Sequence, residues 1–408
     1  MKIFIADYLP LANKGEEEIL RGIEALFKSK KDEEVFFSVF GDVNNTEYVD
    51  NVTVYPKDIC YPDNGHKGFV KTLLSIFWGV LDEIGIYPYS KNLAGVFESL
   101  KISDRILIGH DGFFNIRCAM LGNYLHRRGL HYAILGAGFN KPSKKIAWIY
   151  NRVFRRCFDG ADYVVLREQT AYNYVKSISK NGIIKLFPDP AFFCPSGAYN
   201  KERIDNIFTK YLFEKAEGMK IGMTVCEDSI SFSHAFVESS DKVHAHREFI
   251  AKLMNTIGKK YKCTFFFLPH CIKDGKGNDL YIAKDIKNRL DPSVNCIIIE
   301  EDMPVLDLKY LISTMDLIVG ERTHSIINSI STLTPFISMT CSADFRTHDI
   351  VGDGCKLPLQ VYDMDYPDIN VLVDLTDKTI ENSRHLIDKL QVIHDNHESV
   401  QKDFQEIL

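Results

Sequence analysis

The chain has 408 residues, 45% of them apolar, which is enough for roughly two domains with ordinary cores. A formal charge of −6 gives no global attraction for nucleic acid, so nucleic acid is excluded as a partner. Ten cysteines stand singly with no Cys-x-x-Cys pair, which removes zinc-ribbon, thioredoxin-like and iron–sulfur readings and predicts reduced, mostly buried thiols of a cytoplasmic protein.

Met1 to Asp7 is too short and too soon acidic for a signal peptide and reads as a first strand. The greasiest stretch, Phe69 to Tyr87, is broken by Lys71, Asp82 and Glu83, so no membrane-spanning helix is expected. Taken in order, apolar runs predict strands at 2–6, 35–39, 52–55, 105–109, 131–136, 162–166 and 184–187. A second series follows at 219–225, 263–268, 295–299, 315–319 and 335–339. Many are short and continuous, as suits strands covered on both faces. Helical patterns fall between them at 16–29, 68–84, 116–128, 143–158, 168–179, 241–260, 280–289, 305–313 and 323–331.

That alternation predicts an α/β protein of two Rossmann-like, doubly wound domains. Pro188-Asp189-Pro190-Ala191 and Cys194-Pro195 interrupt the pattern. The reading is therefore an N-terminal domain over 1–195, a second domain over 200–375, and an amphipathic helix over 378–408 that folds back on the first. A ligand is expected in a cleft between the domains, facing the carboxyl ends of the strands.

Residues suited to chemistry gather where strands end. Asn13-Lys14-Gly15 follows the first strand and leads into Glu16-Glu17-Glu18. Gly15 lets the chain turn, and acids suit the first turn of a helix; the segment reads as a ligand-facing loop or as a well-charged helix start. Gly109-His110-Asp111-Gly112 offers His110 for proton transfer and Asp111 for a substrate hydroxyl, or simply forms a turn. Lys141, Lys144, Lys145, Arg152, Arg155 and Arg156 surround Trp148, Tyr150 and Phe154. This is either a surface helix with one buried stripe or a peripheral contact with an anionic membrane face. Tyr163 to Leu166 delivers Arg167 to a strand end beside Glu168, as an ion pair or as an anion ligand. Phe265 to Leu268 ends in Pro269-His270, with Asp274 and Asp279 following as candidate ligand contacts. No further residue stands at metal-ligand spacing, so no metal is expected.

The most informative segment is Asp316 to Asn328, where an apolar run meets Gly320 and then Arg322 and His324 as a helix begins. A helix start receives anions, a guanidinium fits carboxylate or phosphate, and an imidazole moves protons near neutral pH. The plain alternative is a buried corner in which both side chains satisfy neighbouring polar groups. With Arg167 facing Arg322 and His324 across the cleft, the three would fit a small, multiply charged anion.

In this order the segments resemble the polysaccharide pyruvyl transferase family. The resemblance rests on Asn13 to Leu20, Tyr163 to Tyr172, Pro188 to Ala191, Leu268 to Asp279, and Asp316 to Pro335. In the last, Gly320-Glu321-Arg322-Thr323-His324 stands where the family reads Gly-x-Arg-Leu-His. Two departures are visible. Gly109-His110-Asp111-Gly112 replaces a Gly-Gly-Gly segment, and Arg346 occupies roughly the place of a lysine.

The resemblance implies a GT-B-like architecture and transfer of a pyruvyl group from phosphoenolpyruvate to a sugar as a ketal, with phosphate released. It implies His324, Arg322 and Arg167 as the catalytic set, with Asn13, Gly15, Asp111, His270 and Arg346 on the substrates. It further implies phosphoenolpyruvate as the donor substrate with no cofactor required, and a sugar or glycan acceptor, lipid-linked or free, as in cell-surface exopolysaccharide synthesis; the oligomeric state is left open. Two rival readings stand beside this one. One is a GT-B glycosyltransferase whose Arg322 and Arg346 hold a nucleotide-sugar diphosphate; the other is a non-catalytic anion-binding relative.

Overall fold

Continuous apolar strands separated by amphipathic helices produce two parallel sheets, one in each half of the chain. The structure is a computed structural model that describes residues 1–28, 34–41, 51–56, 69–88, 90–110, 114–139, 142, 144, 146–227, 241–272, 278–342 and 344–404. By internal contacts the chain divides into two compact units, one of residues 1–11 and 27–190 and the other of residues 12–26 and 191–408.

The elements of the first half are β1 (Lys2–Tyr8), α1 (Lys14–Phe27), β2 (Phe36–Gly41), β3 (Val52–Pro56), α2 (Phe69–Glu83), α3 (Ser90–Leu93), α4 (Phe97–Lys101) and β4 (Arg105–Ile108). They continue with α5 (Ile116–Arg127), β5 (Ala133–Ala137), α6 (Ala147–Gly160), β6 (Val164–Leu166), α7 (Gln169–Ile178) and β7 (Ile184–Leu186). The seven strands pair in the order β3-β2-β1-β4-β5-β6-β7, and every pairing is parallel. Ile5 faces Val39 on one side and Leu107 on the other, so the centre of this sheet is apolar across three strands. Gly122 lets α5 approach closely, since a Cβ there would meet the Tyr132 ring at 3.1 Å. Phe114, Phe139, Phe154 and Phe158 fill the layer beside it with mutually tilted and stacked rings.

The second half contributes α8 (Lys201–Lys210), β8 (Met219–Thr224), α9 (Lys242–Lys260), β9 (Cys263–Phe267), α10 (Asp279–Lys287), β10 (Asn295–Ile298) and α11 (Val305–Ser313). It ends with β11 (Leu317–Gly320), α12 (Thr323–Ser331), β12 (Phe336–Thr340), α13 (Phe345–Thr347), β13 (Val361–Asp363), α14 (Ile369–Glu381) and α15 (Ser383–Phe404). Its six parallel strands run β10-β9-β8-β11-β12-β13. Both sheets therefore reverse direction once, between β1 and β4 and between β8 and β11, as doubly wound sheets do.

Helix α1 follows the first strand of one sheet yet packs with the other unit, and its side chains explain why. Glu16, Glu17 and Glu18 are buried rather than solvated, which corrects the picture of an ordinary charged helix start. Glu17 Oε1 accepts from the Val305 amide at 2.9 Å and so caps α11, while Asn328 Nδ2 donates to Glu18 Oε2 at 3.1 Å. Lys14 pairs with Asp302 at 2.7 Å, and Lys309 Nζ donates to the Cys194 carbonyl at 2.8 Å. Buried charges persist when partnered in this way.

Two further details differ from the sequence reading. The segment expected to be one helix over 378–408 breaks at Asn382, whose side chain donates to the Lys378 carbonyl at 2.8 Å and ends α14. From there α15 packs on α12, and Gln401 Nε2 reaches the Ala25 carbonyl of α1 at 3.2 Å. Strand β13 escaped notice because it has only three residues, between a π-helical turn at His348–Gly354 and α14. The nine cysteines among the described residues are free thiols. Among those residues no helix is long and apolar enough to cross a membrane.

Candidate active site

Strand β11 ends beside β8, where the order of the second sheet reverses, and the chain turns at once into α12. Gly320 makes this abrupt turn feasible, because a Cβ there would press on Ser325 Oγ at 2.9 Å. Arg322 is the N-cap residue of α12 but gives it no side-chain hydrogen bond. A helix start carries a partial positive charge, which favours an anion.

The Arg322 side chain is held in a fixed pose. Its Nη2 donates to Asp279 Oδ1 at 2.6 Å and its Nε to Asp279 Oδ2 at 3.2 Å. Asp279 Oδ2 also accepts from the amides of His270 and Cys271, each at 3.0 Å. One buried carboxylate thus ties together the loop after β9, the start of α10 and the arginine before α12. Burial pushes the Asp279 carboxyl up from its ordinary value, and the Arg322 guanidinium and the two amides oppose that.

His270 is itself buried, and its Nδ1–H donates to the Leu268 carbonyl at 3.0 Å. The carbonyl fixes the tautomer, so Nε2 carries a lone pair, and that buried atom has no hydrogen-bond partner among the described residues. Burial, aided by the charges of Arg322, His324 and Lys14, pushes His270 down to about 3. It is a neutral acceptor at any physiological pH.

His324, in the first turn of α12, has its imidazole seated against Gly15. A Cβ on Gly15 would come within 2.7 Å of His324 Cγ, so glycine is demanded here by close approach rather than by the turn the sequence suggested. The same segment is pinned to the His270 loop. The Lys14 amide donates to the His270 carbonyl at 2.9 Å, and Asn13 bridges Cys271. Asn13 Oδ1 accepts from the Gly15 amide at 3.1 Å, so this side chain caps α1. Of the residues expected from sequence, Asn13, Gly15, His270, Arg322 and His324 are thereby brought together.

Arg346 lies in α13, which is joined to the start of α12 by a Thr323–Thr347 hydroxyl contact at 2.9 Å. Its Nε and Nη2 each donate at 2.8 Å to the Asp344 carboxylate. Sequence reasoning missed a supporting pair behind the corner. Glu321 Oε1 lies 2.7 Å from His246 Nε2, and Glu321 Oε2 accepts from the Cys226 amide at 2.9 Å. His246 sits within α9 with no local motif to mark it. Among the described residues no group of three His, Cys, Asp or Glu side chains is placed to hold a metal ion.

Arg167 belongs to the first unit and is almost wholly buried, with side-chain exposure of 1%. Its Nη1 donates to Asp189 Oδ2 at 2.6 Å, and its Nε to Glu168 Oε1 at 3.4 Å. The carboxylate of Glu168 fills the space that a side chain at Gly138 would take. His110 follows β4 and is buried, while Asp111 lies outside the described residues.

Comparison with known proteins places this geometry in context. The UDP-GlcNAc 2-epimerase of Neisseria meningitidis, solved bound to UDP-GlcNAc, matches with a TM-score of 0.60 at 13% identity, over 100% of this chain and 99% of that one. Anabaena HepE, in complex with UDP and glucose, matches at 0.57 and 10% identity over 100% and 98%. A ugt transferase from Siraitia grosvenorii, in complex with UDP, matches at 0.57 and 9% identity over 100% and 99%. At such identities the likeness shows the fold, which is GT-B with its two Rossmann-like sheets. No curated protein matches the chain. The sequence profile of polysaccharide pyruvyl transferases, however, matches residues 13–342, a span that includes Asn13, Arg167, His270, Arg322 and His324. The chain belongs to the polysaccharide pyruvyl transferase family, a family of transferases.

Proposed function

We propose that the chain transfers a pyruvyl group from phosphoenolpyruvate to two hydroxyls of a sugar, forming a cyclic ketal and releasing phosphate. The observation that carries this reading is the corner at β11 and α12. An oriented arginine, a histidine in the first helical turn and a second histidine kept neutral meet there in one node.

The chemistry needs a proton at the methylene carbon of phosphoenolpyruvate, which leaves an oxocarbenium-like centre at the next carbon. His324 delivers that proton as a general acid. The first sugar hydroxyl forms a bond to the cationic centre, and its proton returns to His324. The phosphate then departs with its bonding electron pair, and the second hydroxyl closes the ketal, its proton leaving with the phosphate. Arg322 and the amides at the start of α12 hold the donor's negative charge. His270 Nε2, an obligate acceptor, suits an incoming sugar hydroxyl. The donor itself supplies the transferred group, so the reaction as proposed calls on no cofactor.

Arg167 enters the proposal through the family resemblance, as a second anion clamp, with Asp189 and Glu168 as its present partners. Arg346 is assigned to substrate binding on the same footing, as is Asp111. The acceptor class proposed is a glycan or glycolipid precursor of a cell-surface polysaccharide, a reading that family membership supports.

Incubating the protein with phosphoenolpyruvate and mixed acceptor glycans, with phosphate detected, tests the reading. Acceptor-dependent phosphate release is expected, as is thermal stabilisation by phosphoenolpyruvate. Stabilisation by UDP or GDP but not by phosphoenolpyruvate, with no phosphate released, would reject it in favour of a nucleotide-sugar transferase.

A further inference from the structure

Helix α2 presents an apolar stripe that the described structure leaves uncovered. Leu73, Phe77, Val80 and Ile84 are 50%, 52%, 45% and 64% exposed. At about 100° per residue they fall within a sector of about 60° and extend about 16 Å along the axis. The other side of the helix is occupied, with Trp78 and Leu81 packed on the core of the first unit. Gly79 lies so near α6 that a Cβ would meet Ile149 Cδ1 at 2.8 Å. Trp148, the residue before Ile149 on this closely packed helix, is itself 53% exposed.

Exposed cations lie on α6 and just before it. Arg152 lies one turn beyond Trp148 on α6 and Lys144 just before that helix; both are exposed and neither has an ion-pair partner among the described residues. The remaining described arginines of α6 are committed. Arg155 donates to the Ile178 carbonyl at 2.8 Å, and Arg156 pairs with Asp82 and Glu83 at 2.9 and 3.0 Å. Asp82 and Glu83, at the end of α2, are therefore paired, and among the described residues the side chains of this region left without an ion pair, Lys144 and Arg152, are positive.

We propose that α2 and the start of α6 form a docking face for an anionic lipid bilayer. Large exposed apolar side chains rimmed by basic groups suit the boundary between acyl chains and anionic headgroups. A second copy of the chain suits the face less well, because a self-complementary contact would set the same free cations against one another. The proposal refines the basic-helix reading from sequence: the aromatic anchor is Trp148, while Tyr150 and Phe154 turn toward the core. It stands apart from the catalytic proposal, since a transferase of any donor could dock in this way.

The test is co-sedimentation of the full chain with phosphatidylglycerol–phosphatidylcholine vesicles and with phosphatidylcholine vesicles at low salt. The chain has two tryptophans, so Trp78→Phe leaves Trp148 as the sole fluorescent reporter. Retention on the anionic vesicles is expected, with a blue shift of Trp148 emission. The double variant Leu73→Ser/Phe77→Ser and the pair Lys144→Glu/Arg152→Glu should each weaken retention at least tenfold, with unchanged circular dichroism and melting temperature. Absence of retention on anionic vesicles would overturn the proposal. So would undiminished retention of the folded double variants, or a concentration-dependent dimer that Leu73→Ser/Phe77→Ser dissolves.

Discussion

Both halves of the chain use the same local device, an apolar strand that ends in an arginine just before a helix, and they use it differently. After β6, Arg167 is 1% exposed in its side chain and is gripped by Glu168 and Asp189, both 0% exposed. After β11, Arg322 is 13% exposed and is held along one edge by Asp279, whose other bonds come from backbone amides. The first arrangement surrounds one guanidinium with two buried carboxylates, so a clamp there would have to exchange a carboxylate for the donor. The second orients a guanidinium at a helix start and leaves it partly open. Arginine after a strand is therefore not itself a site; the number and burial of its carboxylate partners decide.

Arg167→Ala should break that comparison most visibly. It removes the guanidinium from beside two buried carboxylates, for which a loss of about 3–5 kcal/mol in urea denaturation is expected. If the variant keeps its stability but no longer binds phosphoenolpyruvate, Arg167 is a donor ligand rather than a structural partner of those carboxylates. Arg322→Ala leaves Asp279 with two amide donors, so a smaller loss of about 1–3 kcal/mol is expected, alongside at least tenfold weaker phosphoenolpyruvate binding by calorimetry. Equal destabilisation in the two variants with donor binding intact would erase the distinction.

Gly15→Ala sharpens the account from the side of α1. A methyl group must push the His324 ring aside, at an expected cost of about 1–3 kcal/mol. Turnover should fall while phosphoenolpyruvate affinity changes little; unaltered kinetics would show that the imidazole's seat does not matter.

The last effect concerns pH. His270 is held at about 3 in the folded protein against an ordinary 6.5, so the unfolded chain binds its proton first as pH falls. Its contribution is full above pH 6.5 and declines toward pH 3, by up to about 1.4 kcal/mol per pH unit. His270→Asn should flatten the acid limb of a stability–pH curve. Part of the slope should remain through His397, which burial pushes down to about 4. An unchanged limb would contradict the neutral assignment of His270.

Much of this was legible in sequence, for identifiable reasons. Strands buried on both faces appear as continuous apolar runs, so β1 through β12 could be found within a few residues of their ends. The Gly320-to-His324 corner announced itself because a glycine, an arginine and a histidine meet where periodicity changes. The role of Gly15 was not legible, since the atoms that demand a glycine belong to His324, hundreds of residues away. Glu16 to Glu18 read as a well-charged helix start or part of a ligand-facing loop because local charge pattern cannot reveal that Glu17 caps Val305 and Glu18 accepts from Asn328. The same limit hid Asp189 as the partner of Arg167, because long-range pairing leaves no mark on spacing.

His324→Ala tests the central assignment most directly, with phosphoenolpyruvate binding and phosphate release measured on the same preparation. Binding should persist while acceptor-dependent phosphate release falls by about 10²–10⁴-fold, the loss typical of a general acid. Phosphate release near the unmodified rate would show that another group protonates the donor, and the assignment of His324 would be wrong.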